Sequence, residues 1–253
     1  MVYIDNLVSV IIPTYNCKIF LRESIDSVLA QNYKNLEIIV IDDSSVDGTD
    51  RFVQNLMKEH NNIIYYKNNK NEGAAKSRQK GIEIAKGQYI AFLDADDIWV
   101  ASKLGKQIDF MKKNRIAICC SDYGKILEDG SFTGKVIKTC EKIDIKRLLL
   151  DCPVGNSTVI VDRYFFKEKL IVPLVEKRED FALWYFLIKQ CQYIYGYPEI
   201  LCYYRLRENS VSFNKIRLIP YQWNFYRKFV KCSVLKSIIH LCYWGMIKLV
   251  GKK

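Results

Sequence analysis

Three carboxylates fall within four residues in FLDADD (92–97), where Asp94, Asp96 and Asp97 close an apolar run. Like charges at that spacing repel one another unless a cation lies among them. At an extended strand end Asp94 and Asp96 point to the same side, so their oxygens can share one hard divalent ion. Mg²⁺ and Mn²⁺ fit, since such ions are held by one or two carboxylates together with substrate phosphates. Asp97 is left as the cap of the following helix or as an extra ligand. A second acidic group, DDSSVDGT (42–49), also follows an apolar run. Ser45 or Asp47 suits a helix N-cap, whereas Asp43 has no such duty and can accept hydrogen bonds from a base or a ribose. Arg78 lies in the middle of a helical arc formed by Ala74, Ala75, Gly81, Ile82 and Ala85. A guanidinium on a core-facing stripe needs an anion: a structural carboxylate such as Asp42 or Asp43, or a phosphate of a nucleotide. In KREDFALW (177–184), Glu179 and Asp180 open an apolar helix. The helix N-terminus favours an ionised carboxylate, as a general base requires. Asp180 is the first candidate for that base and Glu179 the second.

The elements that must position these groups alternate. VSVII (8–12), LEIIVI (36–41), NIIYY (62–66) and QYIAFL (88–93) read as strands covered on both faces. Segments of helical length lie between them, near 19–31, 47–60 and 73–86. That order predicts an α/β fold with a Rossmann-like, mostly parallel central sheet flanked by helices. In such sheets ligands bind at the carboxyl ends of strands. PTYN (13–16), the acidic group at 42–49 and DADD should therefore meet at one crevice. Beyond residue 100 the reading is a helix near 102–113, a strand near 116–123, a turn at EDGS (128–131), strands near 157–161 and 199–204, and an apolar helix at 179–190.

Five segments then stand in family order: VSVIIPTYN, VIDDSSVDGT, NEGAAKSRQKGIEIAKGQYIAFLDADD, KREDFALW and YYRLRENSVS. Together they resemble bacterial family 2 glycosyltransferases of the GT-A fold over residues 7–214. The resemblance implies inverting transfer of a sugar from a nucleoside diphosphate, UDP-sugars favoured, to an acceptor hydroxyl during surface polysaccharide synthesis. It places Pro13, Thr14 and Tyr15 along the nucleotide, Asp43 on the base and Arg78 on the nucleotide. Asp94, Ala95 and Asp96 then serve metal and diphosphate, and Asp180 deprotonates the acceptor. Arg205 and Arg207 fall in the YR segment on the donor side. Family members often carry histidine where Arg207 stands; this arginine either reaches the diphosphate as a cation or is a solvated surface residue. CSDY (120–123) and PVGNST (153–158) are expected on the acceptor side of the cleft. The competing enzyme reading, a nucleotidyltransferase, lacks its Gly-rich basic loop after the first strand. A catalytically silent nucleotide-binding protein would not need both acidic pairs.

The net charge of +11 is localised. Residues 205–253 hold eleven Lys and Arg against Glu208 alone, whereas residues 1–204 hold 28 basic and 27 acidic residues. The main body is thus close to neutral, and no nucleic-acid partner is implied. The organisation expected is a GT-A catalytic domain over 1–215, with a nucleotide-binding half (1–100) and an acceptor-binding half (101–215), followed by a basic amphipathic helical tail over 216–253. That tail, broken near Cys232, either packs on the domain or lies on a membrane surface with lysines on anionic headgroups. The second alternative puts the enzyme in the cytoplasm, peripheral on the inner membrane, beside a saccharide or polyprenyl-diphosphate-linked acceptor. The nine cysteines show no C-x-x-C pair and read as reduced thiols.

Overall fold

The computed structural model describes residues 3–207 and 218–250; the NSVS segment lies outside them. Strand β1 (Ile4–Thr14), helix α1 (Lys18–Leu29), β2 (Leu36–Asp42), α2 (Thr49–Glu59), β3 (Ile63–Lys67), α3 (Ala74–Ile84) and β4 (Gly87–Phe92) follow the alternation read from the sequence. Next come β5 (Ile98–Trp99), α4 (Lys103–Asn114), β6 (Ile118–Ile126), β7 (Phe132–Ile137), β8 (Lys142–Ile143), α5 (Ile145–Asp151), β9 (Ile160–Asp162), α6 (Glu179–Cys191) and β10 (Ile194–Arg205). The tail holds α7 (Ile219–Asn224), a π-helical turn (Phe225–Phe229) and α8 (Val234–Val250).

The sheet runs β3-β2-β1-β4-β9-β6-β10-β5. Its first four strands are parallel, and β9 joins β4 to β6 antiparallel on both sides. Alternation sorts the side chains into two cores. Val8, Val10, Ile12, Ile38, Val40, Tyr89 and Ala91 face α1, α2 and α4, whose Leu21, Ile25, Val53, Leu104 and Ile108 complete that layer. Ile11, Ile39, Ile41, Ile90 and Phe92 face the other side, with Ile82 of α3, Phe181 and Trp184 of α6, and Phe225 and Tyr226 of the tail. Fully burying each such aliphatic side chain contributes about 1.5–3 kcal/mol. Coverage on both faces is what lets the strands be continuous apolar runs.

Two glycines set the spacing near the crevice. A Cβ on Gly81 would lie 2.4 Å from Ile11 Cγ2, and one on Gly87 would lie 2.4 Å from the Leu7 carbonyl oxygen. Without side chains there, α3 and the start of β4 press directly against β1.

The tail is not separate from the body. Its second helix also sits the other way round from a simple amphipathic reading: Ser237 is buried, with its hydroxyl donating to the Ser233 carbonyl at 2.9 Å, and His240 stacks on Tyr226. Leu235, Ile238, Ile239 and Met246 face outward. The serine satisfies itself within the helix, whereas the imidazole gains an aromatic face and leaves its Nδ1 buried without a partner among the described residues.

Candidate active site

The acidic segment is not an extended strand end. β4 stops at Phe92 and the chain turns at once, with the Asp97 N–H donating to the Asp94 carbonyl at 3.0 Å. Each outward carboxylate takes its own guanidinium. Asp94 Oδ1 accepts from Arg78 Nη2 at 2.8 Å and from Asn156 Nδ2 at 2.9 Å. Asp96 Oδ2 accepts from Arg207 Nη1 at 3.0 Å. Burial and repulsion from Asp94 raise the Asp96 pKa, against the pull of Arg207. The repulsion is therefore relieved in part by cations of the chain itself, a role the sequence reading left to a bound ion alone.

Asp97 turns inward and is 1% exposed. Its Oδ1 accepts the Arg205 N–H at 3.0 Å, its Oδ2 accepts the Ser157 hydroxyl and its carbonyl accepts the Ser24 hydroxyl. It caps no helix, since α4 starts after Ser102. Nor does it offer an oxygen to the crevice as an extra metal ligand. Burial, then repulsion from Asp96 and Asp94, raises its pKa well above the usual carboxylate range.

Arg78 is 6% exposed and bridges two elements. Besides Asp94 it donates from Nη1 to Glu179 Oε1 at 2.8 Å, so its anions are neither Asp42 nor Asp43. Burial opposes its charge, but Asp94, Glu179 and then Asp180 outweigh that penalty and raise its pKa. Asp43 has a duty after all: Oδ1 accepts from Asn68 Nδ2 and the Glu72 N–H, and Oδ2 from the Gly73 N–H, at 2.7–2.8 Å. These bonds fix the loop that delivers α3, and with it Arg78. Asp42 accepts from the Ser45 N–H and the Tyr65 hydroxyl.

Helix α6 enters through two successive left-handed residues, Lys177 (φ 54°) and Arg178 (φ 66°). For side-chain-bearing residues this costs about 1–2 kcal/mol each, and it turns Glu179 toward Arg78. Asp180, next along, is partly exposed. Burial and repulsion from Glu179 raise its pKa, while Arg178 and Arg78 pull it down. The helix field expected to favour the ionised form is thus outweighed. A raised value suits a base better, because it binds a proton more readily.

The other expected residues are placed unequally. Thr14 ends β1 with its Oγ1 buried and unbonded among the described residues, beside Pro13 and an exposed Tyr15. Ala95 is buried in the core. Arg205, 1% exposed, is spent on the protein: Nε donates to the Asp96 carbonyl at 2.8 Å, Nη1 to the Glu128 and Leu127 carbonyls, and Nη2 to Glu23. It clamps the acidic turn from beneath rather than facing a nucleotide. Arg207 is no solvated bystander, since it engages Asp96 and stacks 5.2 Å from the Phe20 ring. The sequence reading set Asn156 and Ser157 on the acceptor side; in fact they hold Asp94 and Asp97, and Ser157 Oγ also accepts the Asp94 N–H at 3.0 Å. Their only signal was a polar pair after Gly155. Cys120 and Ser121 are buried in β6 and reach no cleft.

The donor set suits a hard divalent ion. Asp94 and Asp96 keep side-chain exposures of 30% and 21%, so both carboxylates remain open to the crevice. Among the described residues no three His, Cys, Asp or Glu side chains converge as a ready cage.

A family model described as glycosyl transferase family 2 matches residues 9–169. The chain belongs to that family. It is 38% identical over 245 residues to the Escherichia coli UDP-Glc:alpha-D-GlcNAc-diphosphoundecaprenol beta-1,3-glucosyltransferase WfaP, covering 96% of this chain and 95% of WfaP. Among solved structures it resembles S. aureus TarS 1-349 in complex with UDP-GlcNAc (TM-score 0.69, 17% identity, 94% of this chain and 71% of that one). It also resembles the mannosyltransferase PcManGT from Pyrobaculum calidifontis in complex with GDP-Man and Mn²⁺ (TM-score 0.70, 17% identity, 92% and 69%). The fold of this family 2 glycosyltransferase is accordingly GT-A.

Proposed function

We propose that this glycosyltransferase moves a sugar, with inversion, from a nucleoside-diphosphate sugar to a hydroxyl of a lipid-linked or saccharide acceptor in bacterial surface polysaccharide synthesis. A UDP-hexose is the favoured donor, in keeping with the UDP-Glc named for WfaP. The observation that carries this reading is the bridge Asp94–Arg78–Glu179. It ties the carboxylate on the diphosphate side to the residue adjoining Asp180, so leaving-group and nucleophile chemistry share one rigid frame.

In this reading Asp94 and Asp96 hold Mg²⁺ or Mn²⁺ against the diphosphate, as the Mn²⁺ named with PcManGT suggests. A divalent ion bound there would neutralise charge developing on the leaving group. Arg207, already on Asp96, supplies a further cation for the diphosphate, and Thr14 and Tyr15 border the nucleotide. Asp180 takes the proton of the acceptor hydroxyl, which attacks the face of the sugar opposite the diphosphate. Inversion follows in one displacement, with no covalent sugar on the protein.

The lipid-linked acceptor gives α8 a task. Its outward Leu235, Ile238, Ile239 and Met246 are flanked by Lys231 and Lys236, and no described helix is long and apolar enough to cross a membrane. We assign this face to an anionic lipid surface. Ile239→Glu should lower binding to phosphatidylglycerol vesicles, and equal binding of this variant and the parent would remove the assignment. The catalytic reading is tested with UDP-, GDP-, CMP- and dTDP-sugars and an α-GlcNAc diphosphate on a long alkyl chain, with Mn²⁺ or EDTA. Transfer from a UDP-sugar that needs Mn²⁺ is expected. Metal-independent transfer would overturn the role given to Asp94 and Asp96.

A further inference from the structure

The turn that presents Asp180 is held from two sides, and only one of them belongs to the donor site. On that side Glu179 is fixed by Arg78. On the other, three residues of the turn rest on aromatic rings of the tail. The Lys177 ammonium lies 4.5 Å from the Tyr221 ring centroid, and the Arg178 guanidinium lies 5.3 Å from that of Trp244. Phe181 stacks on Phe225 with centroids 4.1 Å apart and planes at 23°. Trp244 and Phe225 are 4% and 3% exposed, so the contacts of Arg178 and Phe181 are interior ones. They are also braced: Phe225 meets Tyr185 and Phe229, and the Tyr226 hydroxyl donates to the Leu149 carbonyl at 2.8 Å.

Lys177 and Arg178 both hold left-handed backbone conformations with full side chains, which persist only where surroundings over-determine them. Hydrogen bonds among the described residues supply little of that restraint. The Arg178 carbonyl accepts the Ala182 N–H inside the helix, while Arg178 Nε is buried without a partner among the described residues. The indole face is thus a principal anchor for Arg178.

We infer that Trp244 and Phe225 are positioning residues for Asp180, acting through Arg178 and Phe181. The tail is then one wall of the acceptor side as well as the surface assigned to lipid, so engaging a membrane and holding the base are tasks of the same segment. This inference rests on the reading of Asp180 as the base.

The test is a kinetic cycle on the full chain, using UDP-glucose, or the donor selected by the panel above, with the α-GlcNAc diphosphate acceptor. Trp244→Leu keeps an apolar side chain but removes the π face. Arg178→Met keeps length but removes a charge that also pulls on Asp180, so rates are compared on the pH plateau above the acid limb, where Asp180 is ionised in every variant. A misplaced base should lower kcat by about tenfold or more, with UDP affinity within about twofold of the parent's, as befits an untouched donor side. Trp244→Phe should restore most of the rate. The double variant should lose no more than the worse single variant, because both break one link. Multiplying losses, or kcat within twofold of the parent in both single variants, would overturn the coupling. If Trp244→Leu does not fold, Trp244→Met, which also lacks a π face, takes its place in the cycle. Asp180→Asn separates the two ideas: an active Asp180→Asn removes the base itself, while an inactive one beside fully active Trp244→Leu and Arg178→Met removes only the positioning.

Discussion

Replacing Arg78 by Leu should be among the most damaging single changes on α3, and the structure gives its size. The guanidinium makes two charge-assisted bonds of 2.8 Å, to Asp94 and Glu179, whose side chains are 30% and 18% exposed. Breaking a buried pair by deleting one partner costs about 3–5 kcal/mol. Partial exposure of both carboxylates moderates this, as does the loss of Nε, which is buried without a bond. An expected loss of about 3 kcal/mol follows, or about 6–12 °C in Tm for a chain of this length. Arg78→Lys can serve one carboxylate but not both, and should lose roughly half as much. Thermal denaturation in EDTA measures this directly. With Mn²⁺ and UDP the deficit should shrink, because bound charge compensates Asp94 and ligand binding stabilises the folded state. An Arg78→Leu protein melting within 2 °C of the parent in EDTA would refute the view that this bridge holds the site together.

The acid limb of the kcat–pH profile should lie above the ordinary carboxylate range: Asp180 has a raised pKa, a protonated carboxyl cannot accept the acceptor's proton, and so the rate rises as pH rises through that value. An active Asp180→Asn would exclude it as base, and a limb at the ordinary carboxylate value would show that its surroundings do not raise it. Asp97 gives a stability prediction of defined sign. Its folded-state pKa is raised, so the folded chain binds more protons than the unfolded one between the two values, and stability falls as pH rises across that window. Asp97→Asn should flatten that part of a urea-denaturation series, and an unchanged slope would speak against it. Gly87→Ala drives a methyl to 2.4 Å from the Leu7 carbonyl oxygen, and overpacking of this kind costs about 1–3 kcal/mol. A melt equal to the parent's would show that the β1–β4 contact can yield.

Much of the framework was legible in the residues. The four apolar runs before residue 100 were strands because both faces are covered, and helix-length segments between them forced parallel connections. The meeting of Thr14, Asp42 and Asp94 at one sheet edge follows from β2, β1 and β4 being neighbours with one direction. What escaped was decided by tertiary partners. Asp94 and Asp96 were read as a strand end, but Asp97 is pulled inward by Ser157 and Arg205, and the turn follows. Arg205 and Asp43 carry side chains suited to a ligand yet are consumed by carbonyls and N–H groups 25 or more residues away. Arg207 could be a surface residue by sequence; only the fold brings it to Asp96. β5 and β8, at two residues each, have no periodicity to read. Nor could Trp244 be linked to Arg178, since nothing local connects residues so far apart.

The most direct measurement is calorimetric titration of UDP into the full chain with Mn²⁺ and then with EDTA, repeated on Asp96→Asn. If Asp94 and Asp96 hold a divalent ion against the diphosphate, the parent should bind UDP at least about tenfold more tightly with Mn²⁺, the equivalent of about 1.4 kcal/mol. Asp96→Asn should lose that difference while keeping its fold. Equal affinity with Mn²⁺ and EDTA in the parent, or a full Mn²⁺ effect in Asp96→Asn, would contradict the assignment.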